Sequence, residues 1–483
     1  MHRIRTTGGP VYCRPRRLSP YISASIKPAF AKLLADGIIS VSCSPWCCPL
    51  HCVPKKDDTW RPTGDYRPLN NLTTPDTYPL PHLQSFTDQL HGKKVFSKID
   101  LKDAFLQIPV HPDDVAKTTI TTPFGAFQYH YMPFGLSGAS QSFQRFIDTA
   151  LRNITITLPD GRIQDVSAFA YIDDILLASR DHATHLLELR AVFERLAEYG
   201  LRISPLKCEF GAASMEFLGH LINKDGIAPL PEKVAAMRRY ETPTTAKELR
   251  RYLGMINFYR RFVPRSAETL QPLYDLIKEL NSQPKSAKIT WTKTQLQAFL
   301  KSKTDLANAS YLAYPTPSEP LFLAADASDT AVAGVLYQNA AAIGMRPLGF
   351  FSRRLNESQM KWTIFSRELL AVYLATKHFA YFLEGSDFTI QTDHQALVSA
   401  AANAKPRESA REVRHLQYLT AMRPQWQFIA GENNNTADAL SRATPKPAET
   451  PSNKTDCIRS LDHNALDCGH SHSFRKRQVS GCL

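Results

Sequence analysis

The sequence predicts a multidomain protein that combines an α+β region with a C-terminal α/β domain. The chain has 483 residues, which is too long for one ordinary domain. Helix and strand patterns run to about residue 280, a proline-rich interval follows, and a second pattern starts near residue 321. Hydrophobic residues make up 43% of the chain and charged residues 21%, which is the composition of a globular protein.

The first region should hold an extended basic arm, over residues 1–20, and then alternating helices and strands. Apolar spacing and turn residues predict, in order, a helix over 26–36 ending at Gly37, a strand over Val95–Leu101, paired strands in 117–131 around Gly125, a helix over Gln141–Leu151, an apolar hairpin over Val166–Ser179, and a helix over Leu186–Tyr199 capped by Gly200.

The middle of the chain should be helical and basic. Thr245 and Glu248 have the spacing of a capping box, and the segment 230–280 is predicted as a helical subdomain. Residues 201–303 hold 18 Lys and Arg against 9 Asp and Glu, so +9 of the net charge of +13 lies there. Such an excess indicates a polyanionic partner, most simply nucleic acid. The next interval, 281–318, is interpreted as a tether with a helix inside it.

The C-terminal pattern predicts an α/β domain of about 125 residues. Three strands are expected at 321–326, 332–338 and 347–352, followed by a long helix at 365–382 and a strand at 387–393. A further helix, a strand at 426–430 and a short helix from Thr436 complete the domain. The segment after Ala443 is rich in Pro, Thr, Ser, Lys and His, so we predict a disordered tail.

Three acids of the first region suggest a metal site. Asp173 and Asp174 form the tip of the apolar hairpin, where two adjacent carboxylates repel each other unless a cation neutralises them. The alternative interpretation is a solvated Asp-Asp turn. Asp100, which ends another apolar strand, favours the metal, because two such strands can hold divalent ions such as Mg2+ between them.

The nine cysteines are interpreted as reduced thiols. Five of them lie in the first 52 residues, and others accompany histidines in the C-terminal tail. A zinc site is the alternative in both places, but neither cluster has the paired ligand spacing of a zinc module. No apolar run approaches the ~18 residues of a membrane helix, and the chain starts without a secretory signal, so we expect an intracellular protein.

Six motifs follow one another in the order found in reverse transcriptases of gypsy-like LTR retrotransposons: KKDDTWRPTGDYRPLN, FSKIDLKDAFLQIPV, TPFGAFQYHYMPFGLSGASQSFQRF, YIDDILLAS, KCEF and FLGHLI. The resemblance extends from about His2 to Arg442. It implies a segment of a Pol polyprotein, with a right-hand polymerase of fingers, palm and thumb followed by a ribonuclease H-like domain. The implied boundaries are 1–228 for fingers and palm, 229–282 for the thumb, 283–317 for the tether, 318–443 for ribonuclease H and 444–483 for the tail.

The resemblance also implies roles for individual residues. Two Mg2+ ions per active site would be bound by two acid sets: Asp100, Asp173 and Asp174 in the palm, and Asp326, Glu368, Asp393 and Asp438 in ribonuclease H. The nucleotide site and the primer grip are assigned likewise: Lys55 and Arg61 to the triphosphate, Phe105 to the sugar gate, Phe134 and Gly135 to the platform under the nucleotide, Lys207 to substrate binding, and Phe217, Leu218 and Gly219 to the primer end. Phe105 could also be an ordinary core aromatic residue.

The implied function is synthesis of DNA on RNA or DNA templates and cleavage of RNA in RNA–DNA hybrids. The expected partners are an RNA template, a DNA primer, the RNA–DNA hybrid and deoxynucleoside triphosphates. No association with a membrane is expected, and a homodimer is one of the assemblies that the chain could form. The expected location is a cytoplasmic particle or reverse-transcription complex, or the nucleus together with the element. Two alternatives are a domesticated nucleic-acid-binding protein with inactive sites and a viral RNA-directed RNA polymerase.

Overall fold

A computed structural model describes residues 1–54, 60–82, 84–282, 288–317, 319–340, 344–402 and 409–429. All of these residues belong to one compact unit, Met1–Ala443. The N-terminal arm is extended, as predicted, and packs along the first domain: Ile4 is buried, and isolated bridges pair His2 with Val110 and Tyr12 with Cys47. The described cysteines carry free thiols, namely Cys13, Cys43, Cys47, Cys48, Cys52 and Cys208.

The first domain contains six helices and fourteen strands among its described residues. The helices are α1 Pro20–Ala35, α2 Arg67–Asn70, α3 Gln84–Thr87, α4 Pro112–Val115, α5 Ala139–Leu151 and α6 His182–Glu198. The strands are β1 Ile39–Val41, β2 Cys48–Pro54, β3 Trp60–Gly64, β4 Val95–Asp100, β5 Ile120–Thr122, β6 Gly125–Tyr129, β7 Thr155–Thr157, β8 Ile163–Asp165, β9 Ala168–Tyr171, β10 Asp174–Ser179, β11 Glu209–Ala212, β12 Ser214–Phe217, β13 His220–Asn223 and β14 Gly226–Pro229.

The first helix begins six residues before its predicted start. The Ser19 hydroxyl accepts a hydrogen bond from the Ile22 amide at 3.3 Å, and Pro20 occupies the first helical position. Both features favour a helix start, because the first-turn amides lack partners within the helix and proline has no amide hydrogen to satisfy. These capping signals at Ser19 and Pro20, rather than the apolar spacing, determine where the helix begins.

The palm sheet carries the first set of acids and lies between two cores. Its strands are antiparallel in the order β11-β4-β10-β9. Since side chains alternate along a strand, Ile99 and Ile175 pack into the core shared with α5 and α6. Phe96 and Leu176 face the other core, which includes β12–β14 and the thumb helices. The fingers form a second sheet in the order β1-β6-β5-β2-β3.

The thumb is helical, as predicted, and extends into the supposed tether. Its helices are α7 Pro231–Arg238, α8 Ala246–Phe258, α9 Ser266–Asn281 and α10 Lys293–Ala307. The capping box is only half formed: Thr245 accepts from the Glu248 amide at 3.3 Å, but the Glu248 carboxylate accepts from the Thr244 amide at 2.8 Å. The helix predicted inside the interval 281–318 is present as α10, which packs mainly against α9, and its Ser302 hydroxyl lies 2.7 Å from the Tyr252 hydroxyl of α8.

The C-terminal domain is a mixed five-stranded sheet with helices. The strands are β15 Leu321–Ala327, β16 Ala331–Ala340, β17 Gly344–Arg354, β18 Phe388–Thr392 and β19 Gln425–Phe428, in the order β17-β16-β15-β18-β19. The helices are α11 Glu357–Met360, α12 Ile364–His378, α13 Ala380–Leu383, α14 Gln395–Ala402 and α15 Ala410–Ala421. The predicted long helix is divided at Phe379 into α12 and α13. The helix predicted from Thr436 and the tail lie outside the described residues.

The thumb and the C-terminal domain share a core and a polar interface. Arg354 on β17 donates to Asp275 on α9 at 2.5 Å, and the Ala267 amide donates to the Ser352 hydroxyl at 3.0 Å. Residues of β15, β16 and β17 belong to the same hydrophobic cluster as α8, α9 and α10. In the parts of the chain described above, no helix is both long and apolar enough to cross a membrane.

Candidate active sites

The palm acids lie where two neighbouring strands end. Asp100 is the last residue of β4 and Asp174 is the first of β10, and the two are direct partners in the antiparallel register. Asp173 precedes β10, and its backbone carbonyl accepts from the Leu101 amide at 3.1 Å. The turn before it places Ile172 at φ 53°, which is unusual for a β-branched residue. Buried Gln144 of α5 holds this turn by accepting from the Ile172 amide at 2.8 Å.

The environment of Asp173 suits a bound cation. Burial, followed by repulsion from Asp174 and Asp100, raises the pKa of Asp173 to about 6. Its Oδ1 atom is buried without a hydrogen-bond partner. A carboxylate in this state is ionised at neutral pH only at a cost, and a divalent cation would remove that cost. The residue type, the unpartnered oxygen and the raised pKa are therefore consistent with a metal ligand.

Two lysines reach the palm acids. Lys207 Nζ lies 3.3 Å from Asp100 Oδ1, as expected for a lysine at the active site. Lys98 Nζ lies 3.3 Å from Asp174 Oδ1, a contact that sequence analysis missed. Lys98 is two residues before Asp100 on β4, so both side chains project from the same face of the sheet, and this two-residue spacing was the available signal.

The residues assigned to the nucleotide platform cluster beside the palm. The Arg61 guanidinium lies 5.7 Å from the centre of the Phe134 ring, and the Phe134 ring packs edge-on against Phe105 at 5.4 Å. Gly135 has φ 94°, a left-handed conformation, and a β-carbon there would lie 3.3 Å from the Gly64 carbonyl oxygen. Phe105 is half-buried and also contacts buried Phe143. Lys55 lies outside the described residues.

The three residues assigned to the primer grip differ in their exposure. Leu218 and Gly219 form the two-residue tip of the β12–β13 hairpin, with φ 48° and 76°, and Tyr259 donates to the Gly219 carbonyl at 2.8 Å. Phe217 is fully buried and packs against Phe86. The strand alternation directs this side chain into the core, whereas Leu218 and Gly219 are partly exposed, and the primer-grip role of the three residues stays a prediction.

Four arginines of the basic helical segment, Arg250, Arg251, Arg260 and Arg261, fall into two groups. Arg250 and Arg251 on α8 are exposed. Arg260 and Arg261 lie in a short turn that packs against β17, so they face the C-terminal domain. Burial lowers the pKa of Arg261 to about 10, and its side chain lines a cavity with Phe350 and Phe379. Of these four, only Arg250 and Arg251 are exposed, and the Arg250 guanidinium donates to Asn281 Oδ1 at 2.5 Å.

The C-terminal acids form the tighter cluster. Asp326, Glu368 and Asp393 offer carboxylate oxygens that all lie within 4.8 Å of one another. Asp326 is near the end of β15 and Asp393 follows β18; these strands are parallel, so their carboxyl ends meet at one edge. Glu368 on α12 completes the group. Among the described residues, the palm acids do not form an equally compact group of three.

The electrostatics of the C-terminal cluster resemble those of the palm. Burial, followed by repulsion from Asp326 and Asp393, raises the pKa of Glu368 to about 8. Glu368 Oε1 accepts from the Ala327 amide at 3.3 Å, and Oε2 is buried without a partner. Burial also raises the pKa of Asp326. The three residues have the donor type and spacing that a divalent cation needs, while Asp438 lies outside the described residues.

One cation approaches this cluster from the thumb. Arg265 Nη2 donates to Asp326 Oδ2 at 2.7 Å. Sequence analysis did not find this contact, since the two residues lie 61 positions apart and only the packing of two domains brings them together.

Comparison with known proteins identifies both domains. Residues 53–222 match the family model described as reverse transcriptase (RNA-dependent DNA polymerase), and residues 291–390 match the RNase H-like domain found in reverse transcriptase. The Tf2-3 and Tf2-4 transposon polyproteins of Schizosaccharomyces pombe are each 33% identical to the chain over 425 residues, or 88% of its length. The chain spans 31% of the length of these curated relatives.

Two solved structures show the same fold. A foamy viral protease-reverse transcriptase in complex with dsDNA is similar with a TM-score of 0.78, at 24% identity over 88% of this chain and 86% of that one. The same kind of protein in complex with an RNA/DNA hybrid gives a TM-score of 0.74 over 93% of this chain and 58% of that one.

Fold and sites together define a reverse transcriptase with an attached ribonuclease H-like domain. The chain is similar to the Tf2 transposon polyproteins over this part of their length, in agreement with the resemblance to gypsy-like LTR retrotransposon Pol polyproteins.

Proposed function

We propose that the chain copies both RNA and DNA templates into DNA, and that it degrades the RNA strand of RNA–DNA hybrids, for replication of an LTR retrotransposon. One observation carries this proposal: two separate carboxylate clusters, at Asp100/Asp173/Asp174 and at Asp326/Glu368/Asp393, each lie where neighbouring strands end. Two such clusters in one chain support two metal-dependent phosphoryl-transfer reactions rather than one.

We assign Mg2+ as the cofactor, with two ions at each site. The first acid set would hold the ions in the palm, and the second set, together with Asp438, in ribonuclease H. Asp173 Oδ1 and Glu368 Oε2, which are buried without partners, would be ligand atoms. When bound, Mg2+ would activate the attacking oxygen and stabilise charge on the leaving oxygen.

The protein residues around the palm would position the deoxynucleoside triphosphate. Arg61 is exposed beside Phe134, where a guanidinium can bind phosphate oxygens through paired N–H groups. Lys55 is assigned the same role from the sequence motif. Phe105 lies against Phe134, so its ring is available to exclude a ribose 2′-hydroxyl by contact. Lys207 would balance the charge at Asp100 while substrate binds.

The thumb and the β12–β13 tip would hold the template and primer. Arg250 and Arg251 offer exposed positive charge to the phosphate backbone, which needs no base contacts. The tip at Leu218 and Gly219 is fixed to the thumb by Tyr259, so it can contact a primer end without moving independently. The dsDNA and RNA/DNA complexes of the foamy viral proteins support the same partners for this chain.

The direct test is activity of the purified chain. We expect Mg2+-dependent extension of a DNA primer on RNA and on DNA templates, and cleavage of labelled RNA in a hybrid. Binding of the hybrid without either reaction would favour a domesticated binding protein, and extension with ribonucleotides alone would favour an RNA polymerase.

We further propose that the enzyme acts in the cytoplasm, in a virus-like particle or reverse-transcription complex, and enters the nucleus only with the element. We propose a homodimer as one assembly of the chain in this complex. Analytical ultracentrifugation of the chain with and without RNA–DNA hybrid distinguishes a homodimer from a monomer.

A further inference from the structure

Arg265 connects the thumb to the acid cluster of the C-terminal domain. It directly precedes α9 and has φ 47°, a left-handed backbone conformation that is uncommon for a residue with a β-carbon. Its guanidinium donates to Asp326 Oδ2 at 2.7 Å. Among the described residues, Arg265 is the one cation within 4.0 Å of a carboxylate oxygen of Asp326, Glu368 or Asp393.

Arg367, the arginine next to Glu368, forms an ion pair outside the acid cluster. Arg367 is adjacent to Glu368 in sequence, but its Nη1 pairs with Asp329 at 2.6 Å and contacts the Ser328 carbonyl at 3.3 Å. It is thus engaged by the loop that follows β15. The direct ion pair with the acid cluster is therefore made by the thumb, through Arg265.

The backbone around Arg265 is clamped to the C-terminal domain. The Ala267 amide donates to Ser352 on β17, and Asp275 pairs with Arg354 on the same strand. Ser266 is buried between these contacts. These contacts hold the main chain of Arg265 in place, so that its side chain lies next to Asp326. The side chain is nevertheless 42% exposed.

We propose that Arg265 is an autoinhibitory cation of the ribonuclease H site, which a divalent metal must displace from Asp326. The inference rests on the proposed function of this acid cluster. A guanidinium and a metal ion are both positive and compete for Oδ2, because the repulsion between them opposes binding of both at once. Since Arg265 belongs to the thumb, this competition makes the metal affinity of the ribonuclease H-like domain depend on a residue of the thumb.

The experiment compares Arg265→Gln with the parent chain. Both carry Asp173→Asn and Asp174→Asn to weaken metal binding in the palm, and Mn2+ affinity is measured by isothermal titration calorimetry. A partly exposed ion pair has a modest strength, so we expect Mn2+ to bind about threefold to tenfold more tightly in the variant. With intact palm acids, the Mg2+ concentration for half-maximal hybrid cleavage should fall by a similar factor.

Two matched variants separate the effect of this charge from loosening of the interface. Arg354→Gln removes the other interdomain ion pair without touching the acids, so it should leave Mn2+ affinity unchanged. Arg265→Lys keeps the positive charge and should retain much of the inhibition. Thermal unfolding of each variant shows whether the fold is intact.

Unchanged or weaker Mn2+ binding in Arg265→Gln would overturn the inference, whatever happens to cleavage. A higher KM for hybrid with unaltered metal affinity would show that Arg265 holds the substrate instead. If the parent chain cleaves no hybrid at any Mg2+ concentration, the proposed ribonuclease function fails. The calorimetric comparison would still decide the competition at Asp326.

Discussion

Lys98 and Asp174 form an ion pair across neighbouring strands of the palm, with Nζ 3.3 Å from Oδ1. Asp174 lies opposite Asp100 in the register, so Lys98 is its diagonal neighbour on the same face of the sheet. About a quarter of each side chain is exposed, namely 25% and 29%. The lysine therefore both reduces repulsion among the three acids and restrains the carboxylate of Asp174.

Replacing Lys98 should weaken DNA synthesis through this restraint. We expect Lys98→Met to lower single-turnover extension by roughly tenfold, the loss that about 1.4 kcal/mol of transition-state stabilisation gives. Lys98→Arg keeps the charge and should recover most of the rate. Hybrid cleavage in the same preparations serves as the control. Equal rates for Met and wild type would mean that the ion pair has no part in positioning Asp174.

Phe105 should select against ribonucleotides. Phe105→Val should reduce dCTP incorporation by less than about tenfold but reduce discrimination against CTP by roughly thirtyfold, because a smaller side chain removes the clash with the 2′-hydroxyl. Single-nucleotide incorporation with each substrate measures the ratio. Phe124→Val is the matched control, since Phe124 is also half-buried and packs against Phe30 in the fingers. A ratio that moves equally in both variants would assign Phe105 to the core alone.

Salt dependence of binding should separate the two groups of thumb arginines. Loss of each phosphate contact reduces the slope of log affinity against log salt by about 1. Arg250→Gln with Arg251→Gln should therefore flatten the slope for a primer–template duplex by about 2. Arg260→Gln with Arg261→Gln should leave it unchanged, because these side chains face the C-terminal domain. Fluorescence anisotropy at several salt concentrations gives both slopes, and the reverse pattern would move the duplex to the interdomain face.

The raised pKa of Glu368 should appear in the stability of the metal-free protein. A carboxyl group with a pKa of about 8 in the folded state binds its proton more tightly there than in the unfolded chain. Its ionisation therefore destabilises the fold as pH rises from about 5 towards 8. Glu368→Gln should remove this penalty, raising Tm at pH 8 by roughly 2 °C or more, with little change at pH 5. Calorimetry in excess chelator measures the Tm of the variant and of the wild type at pH 5 and at pH 8. A Tm difference between the two proteins that is independent of pH would contradict the burial of this charge.

The strand-end acids could be predicted from the sequence because the local pattern contains the relevant information. Four of these acids lie at or next to the end of an apolar strand, namely Asp100, Asp173, Asp326 and Asp393. The order of the motifs indicates which acids share a site, which the spacing alone cannot indicate. Glu368 was found through the same order. The order of elements, from the fingers to the ribonuclease H sheet, follows from the same patterns.

What the sequence could not provide are contacts created by docking. Arg265 meets Asp326 only because α9 packs on β17, and Arg260 and Arg261 are partly covered because their short turn packs on the same strand. The burial of Phe217 could not be predicted either, because a motif match does not say which face of a strand is buried. The helix α10 agrees with the helix predicted inside the interval 281–318, but its packing against α9 could not be predicted, because the two helices meet only in the folded thumb.

The central claim is that two separate acid clusters serve two separate reactions, and reciprocal substitution tests it most directly. Asp173→Asn and Glu368→Gln are assayed for primer extension and for hybrid cleavage in the same Mg2+ buffer, with circular dichroism to verify folding. Loss of a metal ligand should cost at least roughly a thousandfold. We expect Asp173→Asn to lose extension and keep cleavage, and Glu368→Gln to do the opposite. Two folded variants that each lose both activities, or neither, would contradict the assignment of two independent sites.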